Sequence, residues 1–156
     1  MGSNIDPEQN LRKAAVMLRN KWKKIRFSSI YASTPQEVEQ QASFLNAAAM
    51  LETDLSPKKV AATLGSIEKA LKKNPPYRFG PRTIDLDLLL YDDFISLDDT
   101  LTIPHLCLHR RRFVLEPLLE LGAGDVVHPA FDRKLRSYLP NVKKQECKKT
   151  ELRYLT

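Results

Sequence analysis

The sequence has only two cysteines in 156 residues, Cys107 and Cys147, far apart and without a histidine or a second cysteine at metal-ligand spacing. That excludes a disulfide framework, argues against a zinc site and suits a reducing compartment. Glycine is scarce, at five residues, and neither a repeat nor an interdomain linker is visible. No apolar run approaches the roughly 20 residues that cross a bilayer. Met1 to Pro7 lack the basic-then-apolar form of a secretory signal. We therefore expect an unexported, cytoplasmic protein without a membrane partner. Acidic residues are outnumbered, 19 against 25 Lys and Arg, giving a net charge of +6 and a pI near 9.4. That balance favours an anionic partner, which a nucleotide, a nucleic acid or an acidic surface would satisfy.

What is present suffices for one domain over residues 1–156, because 42% hydrophobic residues at this length can bury a sound core. Asp6, Pro7 and Gln9 have the form of an N-cap, a first-turn proline and a capping-box partner. Leu11, Ala14, Ala15, Leu18 and Trp22 then recur at helical spacing, which predicts a helix over residues 7–23. Residues 25–33 read as a strand and 36–43 as a polar loop. A second strand is expected over 44–53, with Leu45, Ala47, Ala49 and Leu51 on one face and Phe44, Asn46, Ala48 and Met50 on the other. Ser56 and Pro57 repeat the helix start, and Val60, Leu64, Ile67 and Leu71 give a second helix its stripe. The run Lys72-Lys73-Asn74-Pro75-Pro76 ends that helix.

Further on we expect an extended stretch over 94–97, another over 101–105 and a helix over 110–121 kinked by Pro117. A short helix over 132–139 then leads into a basic tail over 141–156. Strands and helices mix without regular helical crossovers, so the class is α+β with a mostly antiparallel sheet.

Between these elements stands Arg78-Phe79-Gly80-Pro81-Arg82-Thr83-Ile84-Asp85-Leu86-Asp87-Leu88-Leu89-Leu90. In a strand, Asp85 and Asp87 project from the same side. A bare pair of this kind also suits an edge strand facing water. Here Ile84, Leu86, Leu88 and Leu90 anchor the opposite face and fix the register. Two carboxylates on a rigid strand grip hard divalent cations, and nearby arginines hold phosphate oxygens that share those cations. The run points to metal-dependent chemistry on a polyphosphate.

The stretch from Arg78 to Leu89 resembles the signature of the 6-hydroxymethyl-7,8-dihydropterin pyrophosphokinases of folate biosynthesis. Gly2-Ser3-Asn4, Phe44-Leu45-Asn46-Ala47, and Pro104-His105 followed by Arg110-Arg111-Arg112-Phe113-Val114-Leu115-Glu116-Pro117-Leu118 agree with that family in order and spacing. The resemblance implies a ferredoxin-like sandwich flanked by helices and transfer of diphosphate from ATP to the pterin hydroxymethyl group, releasing AMP. It implies two magnesium ions on Asp85 and Asp87, with Arg82 and Arg111 completing the catalytic set. Glu68, Leu88, Thr102, His105 and Arg110 would join Arg82 and Arg111 on the nucleotide side. Phe44 and Phe113 would stack the pterin, Asn46 would read its edge, and Ser33 and Thr34 would meet it from the end of a strand. Without the resemblance, His105 after a proline reads as a capping or core residue, and Arg110 and Arg112 as a solvated helix face. The other two histidines, His109 and His128, match nothing in the family.

Three departures qualify the likeness. The family's first strand is complete before Gly-Ser-Asn, whereas Met1 here stands directly on Gly2, so that strand reads as truncated. The loop at 72–76 carries lysines and prolines where the family has a glycine and arginines. Phe79 replaces a common tryptophan, and Gly65 a common glutamine. These departures keep open a non-catalytic paralogue that binds a pterin or nucleotide. A nucleic-acid partner is not expected, since no such motif is present and the aromatics form no base-stacking row. A monomer is expected.

Overall fold

The computed structural model describes residues 1–35, 40–98, 100–152 and 155. Part of the predicted polar loop, 36–39, lies outside them. The strands are β1 (Gly2–Ser3), β2 (Ile25–Phe27), β3 (Tyr31–Ser33), β4 (Phe44–Asn46), β5 (Ala49–Leu51), β6 (Ser96–Asp98), β7 (Leu101–Ile103), β8 (Val127–His128), β9 (Arg133–Lys134) and β10 (Cys147–Lys149). The helices are α1 (Pro7–Lys21), α2 (Pro57–Ala70), α3 (Arg112–Glu120) and α4 (Leu139–Val142).

Helix α1 starts at Pro7 as expected, but the capping box does not form. Asp6 holds left-handed backbone (φ 42°) and its side chain makes no cap bond. Asn10 closes the entry instead, donating from Nδ2 to the Ile5 carbonyl at 2.7 Å. Leu11, Ala14, Ala15 and Leu18 are buried against Val60, Leu64 and Ile67 of α2 and against Ile30, Ala47, Ile84 and Leu86. A second core lies under α3, where Ala48 meets Leu108, Leu115, Leu118, Leu135, Tyr138 and Val142. Among the described residues no helix is long and apolar enough to cross a membrane.

The four-stranded sheet runs β1-β4-β3-β10, and its pairings are antiparallel. The two long strands expected over 25–33 and 44–53 are each divided. Phe27 pairs with Ala49 and Tyr31 with Asn46, so residues 28–30 face only 47–48 and the register slips by one. This is a β-bulge. Ser28 stitches it, its amide donating to the Ala48 carbonyl at 3.0 Å while its hydroxyl accepts the Ala48 N–H at 2.9 Å. Face alternation along 44–51 survives: Leu45, Ala47 and Leu51 meet the α1/α2 core, and Ala48 and Met50 the α3 core.

Residues 84–90 correct an expectation. They form no ladder beyond one bridge, in which Gly2 and Asp85 exchange backbone bonds at 2.9 and 2.8 Å. Pairing stops there because the chain turns after β1, and the Asn4 and Ile5 amides both donate to the Arg82 carbonyl. Register is held by packing instead, with Ile84 and Leu86 buried in the first core. The short β1 is no bare edge at Gly2, since β4 flanks it on one side and Asp85 on the other.

The stretch expected as a basic tail is also corrected. Val142 is buried, β10 adds to β3 with Cys147 opposite Ser33, and Leu152 and Leu155 pack into the first core. The helix expected over 132–139 is β9, a 3-10 turn at Leu135–Tyr138 and the start of α4. Helix α3 contains Pro117 and starts at Arg112 rather than at 110. The class is α+β, with antiparallel strands between an α1/α2 layer and an α3 layer. A ferredoxin-like sandwich is consistent with that layering.

Candidate active site

A cavity of about 280 Å³ opens where the end of the sheet, the 82–87 segment and the start of α3 converge. Ser33, Thr34, Phe44, Asn46 and Phe113 line it together with Arg82, Asp85, Asp87, His105 and Arg111. The expected pterin residues and the whole expected catalytic set are thus brought together from five separate stretches of chain.

Asn46 is buried, and its Nδ2 donates to Ser33 Oγ across the strand pair at 2.9 Å. Gly2 permits this, because a Cβ there would stand 3.0 Å from Asn46 Oδ1. Phe44 lies under the Arg82 guanidinium, whose carbon is 5.0 Å from the ring centroid. Such stacking fixes the arginine's plane while leaving its edge for other partners.

The two acids differ. Asp85 has a cation at each oxygen, with Lys73 Nζ at 2.6 Å from Oδ1 and Arg82 Nε at 3.2 Å from Oδ2. The Arg82 contact is electrostatic only, since its buried Nε–H has no hydrogen-bond acceptor. Asp87 is about half exposed and has His105 Nε2 3.9 Å away. Lys73 also reaches Glu68 Oε1 at 2.8 Å, and that oxygen accepts the Leu86 N–H at 2.7 Å. Burial by itself would lower the Lys73 pKa, but its bonds to Asp85 and Glu68 and their charges outweigh burial and raise it.

A second cavity of about 350 Å³ adjoins the first through Asp87 and His105, which line both. Glu68, Leu88 and Thr102, all expected on the nucleotide side, line it together with Gly65 and Leu101. Arg110 lines neither cavity and donates from Nε to His109 Nε2 at 3.3 Å. Arg112 is structural, bonding Glu116 at 3.0 Å and the carbonyls of Lys143 and Gln145. Sequence reasoning missed Lys73, as well as Gln41, Cys107 and Val114 in the first cavity. The available signal for Lys73 was a cation just past the end of α2, five positions after Glu68.

Among the described residues no three His, Cys, Asp or Glu side chains gather as a metal cage. The donor set still suits a hard divalent cation. Magnesium takes one or two protein carboxylates and completes its shell with water and substrate oxygens. The ammonium of Lys73 already stands against Asp85 as a positive charge.

A profile of the 7,8-dihydro-6-hydroxymethylpterin-pyrophosphokinase family matches residues 1–123. The 2-amino-4-hydroxy-6-hydroxymethyldihydropteridine pyrophosphokinase of Haemophilus influenzae is 39% identical over 132 residues, covering 83% of this chain and 82% of that one. The Aquifex aeolicus protein of the same name is 32% identical over 149 residues, covering 94% and 92%. Folic acid synthesis protein fol1 of Schizosaccharomyces pombe is 37% identical over 147 residues, 92% of this chain. The chain spans only 20% of that fission-yeast protein and 24% of the bifunctional folate synthesis protein of Pisum sativum. The match over residues 1–123 and the near full-length bacterial relatives place the chain in the 7,8-dihydro-6-hydroxymethylpterin-pyrophosphokinase family.

Proposed function

We propose that this chain transfers the diphosphate of ATP to the hydroxymethyl oxygen of 6-hydroxymethyl-7,8-dihydropterin, releasing AMP, as a step of folate biosynthesis. One observation carries the proposal. A single cavity is lined by an acid pair, two arginines and a histidine together with two phenylalanines and a buried amide.

Each group has work suited to its chemistry. Phe44 and Phe113 offer apolar faces for a flat heteroaromatic ring, and Asn46, held by Ser33, offers an amide to its edge. Thr34 lines the same cavity. Arg82 and Arg111 supply planar donors for phosphate oxygens. Glu68, Leu88, Thr102 and His105 border the neighbouring cavity, which we assign to the nucleotide. Asp85 and Asp87 would hold two magnesium ions, which when bound neutralise triphosphate charge and favour in-line attack. Because one chain supplies every group, a monomer suffices. The free thiols of Cys107 and Cys147 suit the cytoplasm, and the substrates are small molecules, with no nucleic acid or membrane involved.

The test is AMP formation from ATP and the dihydropterin with magnesium. Wild type should turn over, while Asp85→Ala and Asp87→Ala should fall by at least about a hundredfold with unchanged circular dichroism. Near-normal AMP from either variant would sink the assignment of the acid pair. Binding of both substrates by wild type without AMP release would replace the enzyme with a non-catalytic binding protein.

A further inference from the structure

Lys73 is held over Asp85 by several independent contacts. Lys72 adopts left-handed backbone (φ 59°), which turns the chain back after α2, and the Lys73 amide donates to the Glu68 carbonyl at 3.0 Å. The ammonium then sits 2.8 Å from Glu68 Oε1 and 2.6 Å from Asp85 Oδ1. Glu68 cannot swing away without releasing the Leu86 amide it accepts. Thr83 ties the same turn from the other side, donating from its hydroxyl to the Leu71 carbonyl at 2.9 Å. Asp85 therefore carries positive charge on one oxygen from Lys73 and on the other from Arg82, whereas Asp87 is half exposed.

A divalent cation arriving at Asp85 meets like charge within contact distance, in a setting screened less than the open surface. It binds there only if the ammonium withdraws. Nucleotide phosphates change the balance, because they bring negative charge that both the cation and the displaced ammonium can share. We propose that Lys73 is a positioning residue that occupies Asp85 as a resident cation, keeps divalent cations off the free protein and gives way when they arrive with nucleotide. This rests on the assignment of Asp85 as a metal ligand. It makes the lysine at 73, set in a proline-containing turn, a functional part of the site that orders the binding of cation and nucleotide.

The experiment titrates Mn²⁺ into the protein without nucleotide, followed by calorimetry and by the paramagnetic resonance of free Mn²⁺. Lys73→Met should bind Mn²⁺ about fivefold to tenfold more tightly than wild type, the amount one half-buried charge is worth. Lys73→Arg, which restores the charge, should return to the wild-type value. A non-hydrolysable ATP analogue should tighten Mn²⁺ binding more in wild type than in Lys73→Met. Lys73→Gln serves as a second neutral variant should Lys73→Met fold poorly. Equal Mn²⁺ affinity in wild type and the neutral variants without nucleotide, with Asp85→Asn weakened in the presence of the ATP analogue, overturns the role of Lys73 and leaves Asp85 as a ligand. Unchanged Mn²⁺ affinity in Asp85→Asn with the ATP analogue present overturns the metal assignment itself.

Discussion

Asp85 and Asp87 share a side-chain chemistry and stand two positions apart, yet Asp85 is held between Lys73 and Arg82 while Asp87 stands half exposed near His105. Their common side was legible in the sequence, because Ile84 and Leu86 between and beside them are apolar and buried. The partners were not, since Lys73 reaches Asp85 only through the reversal at Lys72. Cys147 carries a similar lesson. Its sequence neighbours are charged, but strand pairing opposite Ser33 buries it and pushes its thiol up to about 11. At pH 8 its thiolate population should fall roughly a hundredfold below that of an ordinary thiol. Iodoacetamide should accordingly modify Cys147 slowly in the folded protein and rapidly in urea, as read by peptide mass spectrometry. Equal rates in the two conditions would show that β10 does not shield it.

Helix α2 contains an avoidable weakness. Gly65 lies in its interior, and a Cβ built there meets nothing within 4 Å. Gly65→Ala should stabilise the protein by about 0.5–1 kcal/mol by removing backbone entropy from the unfolded chain. That corresponds to a rise of about 1–4 °C in a thermal melt, and a fall would reveal a contact across the second cavity.

The other informative junction is between α3 and the sheet, where Glu120 accepts from the Ser29 amide at 3.2 Å, Ser29 Oγ at 2.7 Å, Tyr31 Oη at 2.9 Å and Lys149 Nζ at 3.1 Å. Burial would raise its pKa, but these donors lower it below 4.5. Its folded pKa being the lower, the carboxylate's stabilisation is fully present above about 4.5 and is lost as pH falls through the folded value. Glu120→Gln should cost about 1–2 kcal/mol at pH 7 and flatten the acid limb of a urea-midpoint profile. A variant with the wild-type acid limb would place that dependence elsewhere. Periodicity revealed α3 and the strands, but not this junction, because the bulge at 28–30 that presents Ser29 is an exception to strand alternation.

Across the whole molecule, acid sensitivity should begin above the range of the carboxylates. His109 and His128 pack with Phe131 and Tyr138, and burial lowers the pKa of both below 6.5, with the charge of Arg110 adding to the effect at His109 and that of His109 adding to it at His128. The unfolded chain then binds more protons than the folded one as pH drops through 6.5, so stability declines in that window. Urea midpoints at pH 5.5 should lie below those at pH 7.5, and coincident midpoints would show that the pair does not govern this window. The sequence by itself determined the mixed class, the two amphipathic helices, the side shared by the acids and the family, because periodicity and residue chemistry are properties of neighbours along the chain. Only the tertiary structure decided that the lysine-rich end closes the sheet, that 84–90 is held by packing rather than a ladder, and that Lys73 sits on Asp85. Each of those depends on which distant surfaces bury one another, and pairing of that kind leaves no local pattern to read.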